Sequence, residues 1–251
     1  MWAKPVALGQ TALDIPCLDS WGKSRQSWGK SCSRTKQDFP QVYPSQVYPK
    51  VIMHPPLILA STSEIRAQML ARAGLVFTAA PARVDEDAIR TALQSEGAGP
   101  RDVADSLAEA KARKVSQKNP SALVIGCDQV LAFGDRIFGK PLSESEALTQ
   151  LQSLRGQTHH LYSAAVIYLG GEPQWRHVGH ARMTMRDLSD AMLTAYTARN
   201  WHSIRHSVGG YKIEEEGMQL FAAIEGDVFT IQGLPLLALL QYLAVRGVIE
   251  S

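Results

Sequence analysis

Four groups of polar residues stand out against the apolar segments of this 251-residue chain. The first is Ser61-Thr62-Ser63 with Arg66, placed where the apolar run LILA gives way to a helical pattern. N–H groups at a helix start lack intrahelical partners and lie at the positive end of the helix dipole, so such a turn suits anions. Arg66 in the first turn can reach back as a charged fork for phosphate oxygens. Read as plain structure, Ser63 only caps the helix and Arg66 is a solvated side chain. The second is Asp128, directly after the apolar run ALVIGC. A carboxylate at the carboxyl end of a buried strand can hold a divalent cation or take a proton from water. A turn former there would look the same. The third is Ile137-Phe138-Gly139-Lys140-Pro141, in which Gly139 frees the backbone and Lys140 can meet a phosphate. Lys111, on the helical segment before Asp128, and Glu86, in the acidic loop Val84–Asp87, could complete the set. A lone lysine is more often a solvated face, and three consecutive acids are more often a hydrated loop. The fourth is SVGGYKIEEEG, Ser207 to Gly217, where Gly209 and Gly210 suggest close backbone approach, as to a flat base. Glu214 there can accept from the N–H groups of a guanine edge. The seven histidines form no HExxH-like spacing, which argues against a zinc site.

Several elements must position these residues. Leu57 to Ala60 reads as a short buried strand, followed by a helix from about Glu64 to Ala73 with Gly74 as its stop. Leu75 to Ala80 reads as a second strand leading into the acidic loop. A helix over about Asp102 to Gln117 carries an apolar stripe of Val103, Leu107, Ala110 and Val115. Ala122 to Cys127 is a continuous apolar run, as expected of a central strand covered on both faces. Gly134-Asp135 marks a hairpin, and Ser143 with Glu146 a capping box for a helix ending near Gly156. Two longer strands follow, about Thr158 to Tyr168 and Trp175 to Met185, joined through Gly170-Gly171. Ser189 opens another helix, and Pro235 and Gly247 bracket the last one. Strands interleaved with helices and hairpins predict an α/β fold with a mixed sheet rather than a purely parallel one.

Composition narrows the function classes. Hydrophobic residues at 45% and charged residues at 20% are those of a globular protein and exclude collagen-like or wholly disordered chains. A formal net charge of +2 gives no electrostatic case for a stable nucleic-acid partner or an acidic membrane. Three cysteines without a CxxC pattern fit a reducing compartment, and no apolar run is long enough to span a bilayer, so a cytoplasmic location is expected. Residues 1–52 differ from the rest, with seven Lys/Arg against three Asp/Glu and the doublets SWGKS and QVYP. Three readings of this stretch compete: a basic arm that contacts a partner, a transit peptide, and an unfolded extension upstream of a start at Met53. The third is preferred, so the expected organisation is a basic, disordered extension over 1–52 and one functional domain over 53–251.

Taken together, the motifs resemble the Maf family of nucleotide pyrophosphatases. LILASTSEIRAQML resembles the family's opening strand and Ser-x-Ser-Pro-Arg-Arg turn; VDED, LAEAKARKV, VIGCDQV, IFGKP, LRGQTH, VGGYKIEEEG, IEGD and IQGLPLLAL follow in the family's order. The resemblance covers about Leu57 to Gly247. It implies a mixed twisted sheet with flanking helices and two lobes around a nucleotide cleft, often homodimeric. It also implies hydrolysis of a nucleoside triphosphate to the monophosphate and pyrophosphate with Mg²⁺ or Mn²⁺. By position, Asp128 is implied as general base and Glu86 as a second acid, both toward the metal. Ser61, Ser63, Arg66, Lys111 and Lys140 are implied as phosphate ligands, and Ile65, Gln129 and Glu214 as residues that choose the base. Gln129 followed later by Glu214 is similar to the subgroup that prefers 7-methyl-GTP, whose base is cationic and would favour a nearby carboxylate. The alternatives are the subgroup acting on dTTP and UTP, or a weakly catalytic nucleotide-binding regulator of septum formation. The last is motivated by Glu64-Ile65 standing where the family has Pro-Arg.

Overall fold

The computed structural model describes residues 54–250, so the extension expected over 1–52 and its boundary at Met53 lie outside the described residues. The elements in chain order are β1 (Leu57–Ala60), α1 (Glu64–Arg72), β2 (Thr78–Ala79), α2 (Glu86–Ser95), α3 (Pro100–Ser116), β3 (Leu123–Phe133) and β4 (Arg136–Phe138). Then come α4 (Glu144–Leu154), β5 (Thr158–Leu169), β6 (Glu172–Met185), α5 (Asp190–Ile204), β7 (Phe221–Glu225), α6 (Val228–Ile231) and α7 (Leu236–Val245). Two short 3₁₀ turns, Val208–Gly210 and Glu216–Leu220, connect α5 to β7.

The seven strands form one mixed sheet in the order β2-β1-β3-β5-β6-β7, with β4 also on β3. β1 pairs parallel with the first part of β3, from Leu57↔Leu123 to Ala60↔Gly126. β4 pairs antiparallel with the last part, Leu131↔Phe138 to Phe133↔Arg136. β5 runs along the whole opposite edge, from Val124↔Tyr168 to Ala132↔His160. Since β5 occupies one edge, β1 and β4 must share the other, and Cys127 to Val130 lie between them with no strand alongside.

Strand side chains alternate between faces. Leu57, Leu59, Leu123, Ile125, Ala165 and Ile167 pack with Met69 and Leu70 of α1 and with Leu236, Leu239 and Leu243 of α7. On the opposite face Val130, Ala164 and Val166 pack with Val103, Leu107 and Ala112 of α3. A further cluster joins Leu131, Leu161 and Met183 to Leu151 of α4 and Leu193 of α5 at the far end of the strands. The core is thus divided along the strands into two parts, and the unpaired stretch of β3 runs between them.

Three expectations change. Val84–Asp87 is not a free loop: Asp85 caps α2 by accepting from the Ala88 N–H at 3.0 Å, and Glu86 begins that helix. The strand expected over Leu75 to Ala80 contracts to Thr78–Ala79, with Val76 92% exposed. Asp128 does not end its strand. The chain continues extended to Phe133 because the β4 hairpin and β5 keep supplying partners after β1 has stopped.

Candidate active site

Gly126 determines how closely α3 can approach β3. A Cβ on it would lie 2.1 Å from the Ala108 carbonyl oxygen and 2.6 Å from the Ala112 nitrogen, so only glycine admits the helix there. Two residues further on the same face comes Asp128, and one residue before Ala112 comes Lys111. Their meeting is a consequence of that contact: Lys111 Nζ lies 2.6 Å from Asp128 Oδ1. The same ammonium lies 2.9 Å from Glu86 Oε1. Lys111 and Asp128 are 7% and 6% exposed, whereas the Glu86 side chain is 38% exposed and faces the opening. Glu86 is aimed by the turn before it. Arg83 has φ 50°, the one non-glycine residue in the left-handed region among the described residues, and its carbonyl accepts from Lys114 Nζ, one turn along α3 from Lys111.

Burial alone would raise the Glu86 carboxyl. The Lys111 ammonium, by charge and by hydrogen bond, outweighs it, and Lys140 and Arg66 add to the effect, so Glu86 sits below the usual carboxylate range. Three cations from three separate segments therefore act on one carboxylate, and Lys140 itself is exposed after β4. Gln150 of α4 holds the turn before Lys140, its Nε2 donating to the Gly139 carbonyl at 3.2 Å.

The α1 turn differs in detail from the expected cap. Ser63 is the cap residue by position but makes no side-chain cap bond. Instead Ser61 Oγ accepts from the Ser63 N–H at 3.1 Å and from Arg66 Nη1 at 3.4 Å. Arg66 is not a freely solvated side chain. Its Nε donates to the Gly233 carbonyl at 2.7 Å and its Nη1 to the Cys127 carbonyl at 3.1 Å, while Nη2 makes no hydrogen bond among the described residues. The Cys127 carbonyl belongs to the stretch of β3 that β1 leaves uncovered, so Arg66 joins the α1 turn to the strand carrying Asp128. Glu64 turns away, its Oε1 accepting from Gln68 Nε2 at 3.2 Å one helical turn along.

Ser61, Ser63 and Arg66 are linked to one another and to the Cys127 carbonyl, Glu86 and Asp128 are linked through Lys111, and Arg66 and Lys140 act on Glu86 by charge; the other three candidates are placed differently. The Gln129 side chain lies on the sheet face opposite Asp128; its Nε2 donates to Ser163 Oγ at 3.0 Å and to the carbonyls of Thr230 and Ile231 at 3.2 and 2.9 Å. Ile65 packs against the α1–α7 core. Glu214 is exposed and makes no hydrogen bond to the other site residues. Crowding by protein atoms raises its carboxyl, with Glu215 adding and its own backbone and Lys212 opposing. Gly209 does approach something closely, but it is protein: a Cβ on it would lie 2.4 Å from Leu131 Cδ1, whereas Gly210 has room for a Cβ and is favoured as glycine by its φ of 70°. Sequence reasoning passed over Gly126, Ser163 and Thr230, and noted the stretch around Gly233 only as a motif; of those passed over, only Gly126, a glycine inside an apolar strand, carried a visible signal.

The Maf-like protein family profile matches residues 56–246. The nucleoside triphosphate pyrophosphatase of Roseobacter denitrificans is 60% identical over 195 residues, covering 78% of this chain and 98% of its own. That of Ruegeria pomeroyi is 58% identical over 196 residues, with the same coverage of 78% and 98%. The 7-methyl-GTP pyrophosphatase of Brucella abortus is 51% identical over 195 residues, again covering 78% and 98%. A mixed sheet with a cationic opening around Lys111 and Asp128, a family match over nearly all the described residues, and relatives matched almost end to end lead to one conclusion: the chain belongs to the Maf family.

Proposed function

We propose that the protein hydrolyses a nucleoside triphosphate to the monophosphate and pyrophosphate, with 7-methyl-GTP or a similarly modified nucleotide preferred. The observation that carries this reading is the pairing of a buried ammonium–carboxylate contact, Lys111 to Asp128 at 2.6 Å, with Arg66 and Lys140 at the same opening. A triphosphate needs cations and N–H donors, and the attacking water needs a carboxylate. Lys111 occupies Asp128 Oδ1, and the second oxygen has no hydrogen bond among the described residues. That oxygen takes the proton of a water attacking the α-phosphorus, as the bond from the α-phosphorus to the bridging oxygen breaks and pyrophosphate departs. Ser61, Ser63 and Arg66 hold the chain of phosphates at the α1 turn, with Lys140 on the other side of the opening.

A divalent cation fits this donor set in one way. No group of three His, Cys, Asp or Glu side chains suited to a metal occurs among the described residues, and Asp128 and Glu86 supply two carboxylates only. Mg²⁺ and Mn²⁺ sites of this kind take one or two carboxylates, water, and oxygens of the substrate. Asp128 and Glu86 would hold such an ion arriving with the nucleotide, where it would neutralise charge on the departing pyrophosphate.

The preference for a cationic base is supported by the name carried by the Brucella abortus relative and by the sequence likeness of Gln129 and Glu214 to that subgroup, not by contacts of these two side chains with the other site residues. The orientation of Glu64 toward Gln68 supports an enzyme over a weakly catalytic binder, because the acidic group is not aimed at the phosphate turn. Pyrophosphate release across a panel of GTP, 7-methyl-GTP, dTTP and UTP with Mg²⁺ or Mn²⁺ tests the reading. The highest kcat/KM is expected for 7-methyl-GTP; faster turnover of dTTP and UTP overturns the preference, and no release from any nucleotide overturns the activity.

A further inference from the structure

The edge of β3 beside Asp128 carries a donor that no protein group uses. In an extended strand the N–H and C=O of one residue point to the same edge, and those of the next residue to the other edge. Leu123 donates toward the β1 side, to the Pro56 carbonyl at 2.9 Å. The Cys127 carbonyl points the same way, since it accepts from Arg66 Nη1 at 3.1 Å. By the same alternation Leu131 and Phe133 face that edge, along which β4 runs antiparallel. The odd-numbered residues of β3 therefore all face the β1–β4 edge, and the even-numbered ones face β5.

Gln129 is the odd-numbered residue in the interval that neither neighbour reaches. β1 stops opposite Gly126 and β4 begins opposite Leu131. By that alternation its N–H points away from β5 into the interval that neither β1 nor β4 covers, and no side-chain acceptor among the described residues takes it. It follows Asp128 directly and lies one step along the same edge from the carbonyl that accepts from Arg66. The Gln129 side chain, tied to Ser163 and to the Thr230 and Ile231 carbonyls, keeps that peptide unit from rotating.

We propose that the main-chain N–H of Gln129 is a catalytic hydrogen-bond donor to the phosphoryl group undergoing attack. The proposal rests on the pyrophosphatase reading above. A fixed N–H beside the carboxylate that receives the proton is placed where negative charge grows on the non-bridging oxygens, and it needs no reorganisation to act there. The gap between β1 and β4 is then functional: a phosphoryl oxygen takes the place that a strand carbonyl would otherwise fill. Gln129 contributes its backbone to the reaction and its side chain to holding that backbone still.

The test exchanges the Asp128–Gln129 peptide link for an ester in the full-length protein, by incorporating the α-hydroxy analogue of glutamine at position 129. Every side chain is kept and only the N–H is lost. The expected result is a fall in kcat of about 100-fold or more, with KM changed less than kcat; an ester form with wild-type kcat overturns the proposal. Should the ester form not fold, as judged by circular dichroism, the ¹⁵N–¹H spectrum of the unmodified chain decides. An α,β-methylene nucleoside triphosphate should move the Gln129 amide proton downfield, and a saturated complex that leaves it unmoved overturns the proposal. Wild-type protein that releases no pyrophosphate from any nucleotide brings down the activity reading itself, whereas an active wild type with an equally active ester form removes only the role of this N–H.

Discussion

Asp128 and Gln129 are neighbours in the chain and belong to different parts of the molecule. On the α3 face, Asp128, Lys111 and Glu86 form a charged set in which one ammonium serves two carboxylates. On the opposite face, Gln129, Ser163 and the Thr230–Gly233 turn form a network of neutral hydrogen bonds. Ser163 Oγ donates to the Thr230 carbonyl at 2.6 Å while accepting from Gln129, and the network borders the charged Arg66, whose Nε donates to Gly233. A small protein can place a reactive carboxylate and its rigid support within one dipeptide because alternate strand residues point to opposite faces. The charged face carries the chemistry and the neutral face fixes its position, so lesions on the two faces should differ in kind.

The largest separation is expected from Asp128→Asn. The amide cannot take a proton from water, and kcat for pyrophosphate release should fall by roughly 10³-fold with a far-ultraviolet spectrum like that of the wild type. A variant retaining wild-type kcat would remove the charged face from the reaction. Lys111→Met acts on stability as well as rate. It leaves Asp128, 6% exposed, without its cation, at a cost of about 3–5 kcal/mol in denaturant unfolding. A loss below about 1 kcal/mol would mean that the ion pair is not effectively buried.

The neutral face has its own sensitivity to acid. His159, on that face, is fully buried; its Nε2 lies 2.7 Å from the Tyr211 hydroxyl and its Nδ1 has no partner among the described residues. Burial, helped by neighbouring His160, lowers it from 6.5 to about 4. The unfolded chain therefore binds a proton between those values that the folded chain refuses, so stability is full above pH 6.5 and declines as the pH falls toward 4. The decline from this one group is about 3 kcal/mol. His159→Gln should flatten this part of the stability–pH curve, and a curve of unchanged slope would rule His159 out as its source. The smallest effect belongs to Ser163→Ala, which removes one bond to the Thr230 carbonyl and one from Gln129 and should cost about 1 kcal/mol. Its kcat should drop only a few-fold, and a drop as large as that of Asp128→Asn would erase the distinction between the faces.

Much of this was legible in the residues. The buried β1 and β3 runs, the hairpin at Gly134-Asp135 and the β5–β6 pair follow from apolar periodicity and turn chemistry, which act over a few residues. The cap at Ser143 also forms, accepting from the Glu146 N–H at 3.1 Å, and Glu146 Oε2 returns to accept from the Leu142 N–H at 2.8 Å. α2 was misread as a loop because its start signal, Asp85, lies within an acidic run that also suits a hydrated turn. The Gly209-Gly210 pair suggested close approach but not to what, and Leu131 supplies the answer at Gly209 from a distant segment.

By itself the sequence determined the residue types that can meet a polyanion, the order of the motifs that carry the family likeness, and the alternation of strands and helices that makes the sheet mixed. Tertiary structure alone decided that Lys111 bridges Asp128 to Glu86, that Arg66 spans from Gly233 to Cys127, and that β1 and β4 leave a gap at Gln129. The reason is one of range. Propensity and periodicity act between residues a few positions apart, whereas Arg66 and Gly233 are 167 positions apart. Only the packing of α1, α3 and the α6–α7 turn onto one strand sets the distance between such groups.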